Sequence, residues 1–131
     1  MRLPLVLLCL PLTACLVDRF QLGPAVEGTD WFATSIAGTG VVNGTKLTLT
    51  IKNGRVGGKA GCNTYAGPVE TYDSQLKFGA LISTKMACVG NGVMEQESRY
   101  LSVLQAVTRG ELKSGGLLLT GDRGSIQFAH E

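Results

Sequence analysis

Residues 46–59 read KLTLTIKNGRVGGK. Lys46, Thr48, Thr50 and Lys52 alternate with Leu47, Leu49 and Ile51, the period of a strand with one face buried. Asn53-Gly54 follows at once, the strongest short-range hairpin signal. Arg55–Lys59 then reads as the returning strand, and its Gly57-Gly58 pair marks a bulge or a close backbone approach. An antiparallel β-hairpin is therefore the seed of the fold.

The surroundings extend the same pattern. Trp31–Ile36 is rich in strand formers, and Val69–Tyr72 and Gln75–Ile82 flank the turn residues Asp73-Ser74. Ser83–Cys88 continues that strand less regularly. Glu111–Lys113, Gly116–Thr120 and Ser125–Ala129 are separated by Gly-containing turns. One helix interrupts the series. Val93–Val107 lacks Gly and Pro and places Val93, Met94, Tyr100, Leu101, Leu104 and Val107 at helical spacing. Glu95 and Glu97 fall in its early turns, Arg109 lies past its end, and Asn91 is the expected N-cap. The expectation is a mainly β (α+β) fold: a small antiparallel cracked β-barrel or strongly bent sheet, with one α-helix over about 92–108.

Composition agrees and narrows the function. The chain has 131 residues, 44% hydrophobic and 17% charged, too apolar for disorder and enough for one domain. Its 18 Gly, about double the usual ~7%, against 4 Pro suit many tight turns. A net charge of +2 does not suggest a nucleic-acid binder. The positive charge gathers in residues 31–88, which carry six basic and two acidic groups, whereas residues 89–131 carry four and five. Such a basic sheet face suits anionic lipid or an acidic partner, or is ordinary solvated surface.

The N-terminus is of another kind. Residues 1–15 read MRLPLVLLCLPLTAC, with Arg2 ahead of an apolar run that ends by Val17 and is broken by two prolines. The run is too short to span a bilayer and reads as an export signal. Leu12-Thr13-Ala14-Cys15 resembles the lipobox of bacterial lipoproteins, in which two small residues precede an acylated Cys. Residues 1–14 are thus expected to be a lipoprotein signal peptide, Cys15 the lipidation site, and 15–29 a lipidated tether. Two or three acyl chains would anchor the protein stably. Leu16 rather than Asp after that Cys favours the outer membrane, on its periplasmic face, in a Gram-negative host.

Cys9 leaves with the signal and Cys15 is acylated, so Cys62 and Cys88 remain. In an oxidising compartment they read as a disulfide across 26 residues. Two buried free thiols or a metal pair are the alternatives, the latter short of ligands because His130 is the only His. A Cys nucleophile would need a base, and His130 stands one residue from the end. The Gly-rich runs lack the Lys-Ser/Thr ending of a phosphate loop. No catalytic residue, cofactor or metal site is expected. Asn63 and Tyr65 beside Cys62 read either as ligand contacts or as a backbone-satisfying Asn and a packed Tyr.

In order, Trp31, GRVGGKAGCNTYAGPVE (54–70), LISTKMAC (81–88), MEQESRYLSVL (94–104) and LLLTGDRGSIQF (117–128) resemble the META domain, the family of heat-inducible HslJ-like proteins. Trp31, Gly61, Asn63, Tyr65, Gly67, Thr84, Met86 and Glu97 carry the resemblance. Val89 departs from it, since Pro commonly follows the second Cys. The resemblance implies a META domain over 30–131, a cracked β-barrel with one helix, and a bacterial envelope protein, often lipidated, without established catalysis. It links the family loosely to stress tolerance. The expected function is a non-enzymatic, lipid-anchored, monomeric envelope protein that supports envelope integrity or stress tolerance through an envelope protein partner. The alternative is a small carrier of apolar ligand or lipid, its cavity lined by residues such as Leu47, Leu49, Ile51, Leu76, Phe78 and Leu118.

Overall fold

A computed structural model describes residues 20–130, so the signal segment 1–14 and Cys15 lie outside the described residues. The elements are α1 (Leu22–Val26), β1 (Asp30–Ile36), β2 (Thr39–Gly40), β3 (Thr48–Lys52), β4 (Arg55–Lys59) and β5 (Thr64–Tyr72). There follow β6 (Gln75–Phe78), β7 (Ile82–Ser83), α2 (Val93–Gln105), β8 (Val107–Lys113), β9 (Gly116–Gly121) and β10 (Gly124–Ala129). Eight strands neighbour one another in the order β1-β3-β4-β5-β6-β8-β9-β10, and β10 pairs back onto β1. The result is a closed antiparallel barrel. The two-residue strands β2 and β7 are appended to β1 and β5. Among the described residues no helix is long and apolar enough to cross a membrane.

The opening hairpin forms as its sequence dictates. Leu47, Leu49 and Ile51 face the interior while Lys46 and Lys52 face solvent. Asn53 and Gly54 have φ of 52° and 72°, the two positive values that a primed turn between Lys52 and Arg55 requires. The Gly57-Gly58 pair resolves into a close approach. A Cβ on Gly58 would lie 2.0 Å from the Thr48 carbonyl oxygen. That carbonyl is turned inward for a purpose described below.

Trp31 and Ile36 both point inward although an odd number of positions separates them. The β1–β10 register shifts between Ala33 and Ser35, and this bulge swaps the faces of the strand. Leu117 and Leu119 on β9 and Ile126 and Phe128 on β10 complete the inner wall. The core is capped by α2. Its Tyr100 meets Tyr65 edge to face at 5.6 Å between ring centres and Phe128 at 6.5 Å.

Several sequence expectations need correction. The helix stops at Gln105, because Val107 pairs with Gly121 and is already in β8; Val107-Thr108 is a β-branched pair beside a ready strand edge. Its N-cap is Gly92 at φ 78°, without a side-chain cap bond, rather than Asn91. Its buried stripe is Val93, Gln96, Glu97, Tyr100, Val103 and Leu104, while Met94 is exposed and Leu101 half-buried. β5 runs through Gly67-Pro68 without a break; Pro68 still accepts from the Gly79 N–H at 2.9 Å. Strand pairing ends at Ser83, so 84–88 is a loop. Leu118 is only half-buried, with Leu117 and Leu119 taking the interior positions.

Residues 22–29, read from sequence as part of the tether, belong to the folded unit. Leu22 and Val26 are fully buried, each burial contributing roughly 1.5–3 kcal/mol. The Leu22 N–H donates to Asp73 O at 2.8 Å and the Gly28 N–H to Ile51 O at 2.8 Å. The folded unit therefore begins well before Asp30.

The barrel is thinnest between β6 and β8, which share one residue pair, Gln75 with Arg109. Gln105 bridges the gap above it. Its Oε1 accepts from the Leu81 N–H at 3.0 Å, and its Nε2 donates to Phe78 O and Gly79 O at 3.2 and 2.9 Å. A helix side chain here replaces a missing strand partner.

Candidate functional site

Of the residues that carried the sequence resemblance, Gly61, Asn63, Thr84, Met86 and Glu97 converge at one end of the barrel, beside the start of α2. Asn63 lies in the turn between β4 and β5 and is buried. Its backbone N–H donates to Glu97 Oε1 at 2.6 Å and its Nδ2 to Glu97 Oε2 at 2.7 Å. Nδ2 also donates to Met86 O at 3.0 Å. Asn63 Oδ1 accepts from Thr84 Oγ1 at 2.9 Å and from the Met86 N–H at 2.7 Å. The Asn63 carbonyl accepts from the Ala60 N–H at 2.8 Å. Every polar atom of Asn63 is thus engaged, which is what burial of an amide demands.

Cys62 and Cys88 are joined, their Cα atoms 5.9 Å apart, and hold the same loop from its far side. Thr84 adds two more ties, its N–H donating to Thr64 O at 3.0 Å and its Oγ1 accepting from the Thr64 N–H at 3.2 Å. Gly61 has φ of 103° and faces the Gln96 amide, so the turn into Cys62 is closed to larger residues. Gly67 is buried where a Cβ would lie 2.9 Å from Ala80 O, allowing the 79–82 segment to cross β5.

A second cluster lies deeper. The Tyr65 hydroxyl donates to Thr48 O at 2.7 Å and sits 2.8 Å from the Tyr100 hydroxyl. Thr48 O can serve them because the Lys59 N–H bonds to Thr48 Oγ1 instead, at 2.9 Å. Burial pushes the Tyr65 hydroxyl well above its ordinary 10.0, only partly offset by the bond to Tyr100. Burial also pushes Tyr100 up, reinforced by Tyr65 beside it. Both phenols are therefore neutral, inert donors at physiological pH.

Trp31 stands apart, buried at the opposite end, where its ring meets His130 edge to face at 5.2 Å. Its Nε1 is buried without a hydrogen-bond partner. His130 is therefore far from Cys62 and Cys88, and both sulfurs are consumed by the disulfide. Among the described residues no group of three His, Cys, Asp or Glu could hold a metal ion.

Sequence reading missed Gln96 and Gln105. Gln96 is buried; its Oε1 accepts from the Val42 N–H at 2.7 Å and its Nε2 donates to Thr45 Oγ1 at 3.0 Å. A signal was present, since Gln96 and Glu97 occupy the stripe positions between Val93 and Tyr100 where apolar residues belong. Buried polar groups in a stripe imply partners waiting in the wall.

Both Glu97 oxygens accept from Asn63, and Asn63 in turn binds Thr84 and Met86, so this buried knot fixes the 82–89 segment. That segment shows water Val89, 99% exposed, Ile82, 70% exposed, and Met86, 58% exposed, with the exposed Met94 of α2 next to it. The side chain of Met86 projects outward while its backbone N–H and C=O both bind Asn63.

Comparison with known proteins agrees with this architecture. The barrel is similar to a Burkholderia xenovorans protein solved by NMR, with 27% identity, a TM-score of 0.68, and coverage of 83% of this chain and 86% of the other. A second NMR structure has the same fold at 15% identity and a TM-score of 0.69, covering 82% of this chain and 93% of its own. No curated protein matches. A family profile, the META domain, matches residues 24–131, which include the last three residues of α1, the disulfide and the whole barrel. The chain belongs to the META domain family.

Proposed function

We propose that the protein is a non-enzymatic, lipid-anchored envelope protein that acts by offering the 82–89 loop to a protein partner. The observation that carries this reading is the contrast within that loop. Its apolar side chains are exposed, yet its backbone is held by a disulfide and by the buried Asn63–Glu97 pair. Holding such side chains in water has no benefit to the isolated fold, and a pre-ordered surface loses less entropy on binding. The lipobox-like Leu12–Cys15 and the disulfide both suit an exported protein. The carrier alternative has no comparable support, because Leu47, Leu49, Ile51, Leu76 and Phe78, expected to line a cavity, pack with Tyr100, Leu104 and Phe128 into one core, and Leu118 is not part of it.

The test is affinity recovery from chemically crosslinked envelopes, with Met86→Asp/Val89→Asp beside the natural chain. A reproducible partner lost in the double variant supports the reading. No partner, together with no envelope phenotype on gene deletion, overturns it.

A further inference from the structure

The exposed large apolar side chains fall at two ends of the barrel. Ile82, Met86, Val89 and Met94 cluster at the disulfide end. Phe20, Tyr72 and Leu112 gather around α1 at the other. Each member of the second group is tied to α1 in its own way: Phe20 lies two residues before Leu22, Leu22 donates to Asp73, the residue after Tyr72, and Leu112 lines a depression with Ala25 of α1, while Tyr72 borders another with Lys77 and Thr108. β5 separates the ends. It starts at Thr64 beside the disulfide and finishes at Tyr72, nine residues that span roughly 26 Å at ~3.3 Å per step.

We propose that the α1 end of the barrel rests on the phospholipid surface, with Phe20, Tyr72 and Leu112 at the lipid–water boundary. This deepens the lipid-anchor reading above and rests on it. The argument is one of reach and chemistry. From Cys15 to Phe20 the chain has five steps, which extend at most about 18 Å even fully stretched. An acylated Cys15 therefore keeps Phe20, and the end that carries it, close to the bilayer. The side chains displayed there are of the interfacial kind: a Phe, a Leu and a Tyr with a polar tip. The nearby carboxylates of Glu27 and Asp30 are occupied, accepting from the Asn53 N–H at 2.8 Å and Thr50 Oγ1 at 2.7 Å. Exposed Glu111 and Lys113 flank Leu112, so the apolar and aromatic side chains stand within a rim of mixed charge. Seating this end leaves the 82–89 loop on the side facing away from the membrane, in the aqueous compartment.

The test uses full-length protein, processed in a lipoprotein-exporting bacterial host and reconstituted in phosphatidylethanolamine/phosphatidylglycerol vesicles. Intact mass first reports whether Cys15 carries acyl chains. Tyr72→Trp and Met86→Trp are then compared in vesicles with and without bromine-labelled acyl chains, the natural chain giving the Trp31 baseline. The expected result is an acylated Cys15, with the added emission of Tyr72→Trp mostly lost to bromine and that of Met86→Trp retained. An acylated protein whose Tyr72→Trp emission survives overturns the seat alone, as does quenching confined to Met86→Trp. An unmodified Cys15 overturns the anchor reading and the seat with it.

Discussion

Glu97 holds Asn63 by both of its nitrogens, Oε1 taking the backbone N–H at 2.6 Å and Oε2 the side-chain amide at 2.7 Å. The two residues come from α2 and from the β4–β5 turn, so this pair ties the helix to the barrel wall. Glu97→Gln keeps the shape but turns an amide donor toward the donors of Asn63. It is expected to lower stability by about 2 kcal/mol. Asn63→Asp should cost more, since it sets a carboxylate against Glu97 and against Met86 O. Urea denaturation of both variants checks the order; equal and negligible losses would remove the knot from the account.

Gly58→Ala places a Cβ 2.0 Å from Thr48 O, which cannot retreat without releasing the Tyr65 hydroxyl. The expected outcome is a loss of more than about 3 kcal/mol, or a chain that does not fold. Gly40→Ala is the control, with nothing within 4 Å and no left-handed backbone. It should leave the denaturation midpoint within error.

Reduction of Cys62–Cys88 releases a loop of 26 residues and should cost about 3.5 kcal/mol on the chain-entropy model. Thiol titration of the unfolded mature chain should find no thiol from this pair before reductant and two after it. The reduced domain should still fold, because the Asn63 bonds do not depend on sulfur.

The tyrosine pair predicts an alkaline limit. Both hydroxyls have their pKa raised in the folded state, so their contribution is fully present below the unfolded value near 10. Above it the unfolded chain loses protons that the folded chain retains, and stability falls with rising pH. Denaturation midpoints between pH 7 and 11.5 should show a plateau and then a decline. Tyr65→Phe should shallow that decline by about one proton.

Much of this fold was written in plain periodicity. Leu47, Leu49 and Ile51 gave the barrel's alternation, Asn53-Gly54 its first turn, and residues 93–105 the helix. What escaped sequence reading shares a physical cause: partners distant in the chain. Gln96 has no evident role until the wall supplies Val42 and Thr45, and the resemblance names Glu97 without naming Asn63 as its partner. Residues 22–26 look like tether until Asp73 and the gap beside Gly110 receive Leu22. Motif resemblance singled out Asn63, Thr84, Met86 and Glu97 together, yet nothing in their spacing said that one amide gathers them. The bulge that lets Trp31 and Ile36 share a face leaves no local signature either.

The loop variants separate presentation from stability. Met86→Asp and Val89→Asp change side chains that lie in water, so each should alter unfolding free energy by less than about 0.5 kcal/mol. A large destabilisation would mean that the loop packs within the fold instead of being offered outward.

The central claim is that this pinned loop is a contact surface. A photoreactive amino acid placed at Val89 in living cells tests it most directly, with Lys77, exposed midway along the barrel wall, as reference. The account predicts one discrete adduct from position 89, absent from position 77 and lost when Cys62 and Cys88 are both replaced by Ser. No adduct from position 89, or the same adducts from both positions, would contradict it.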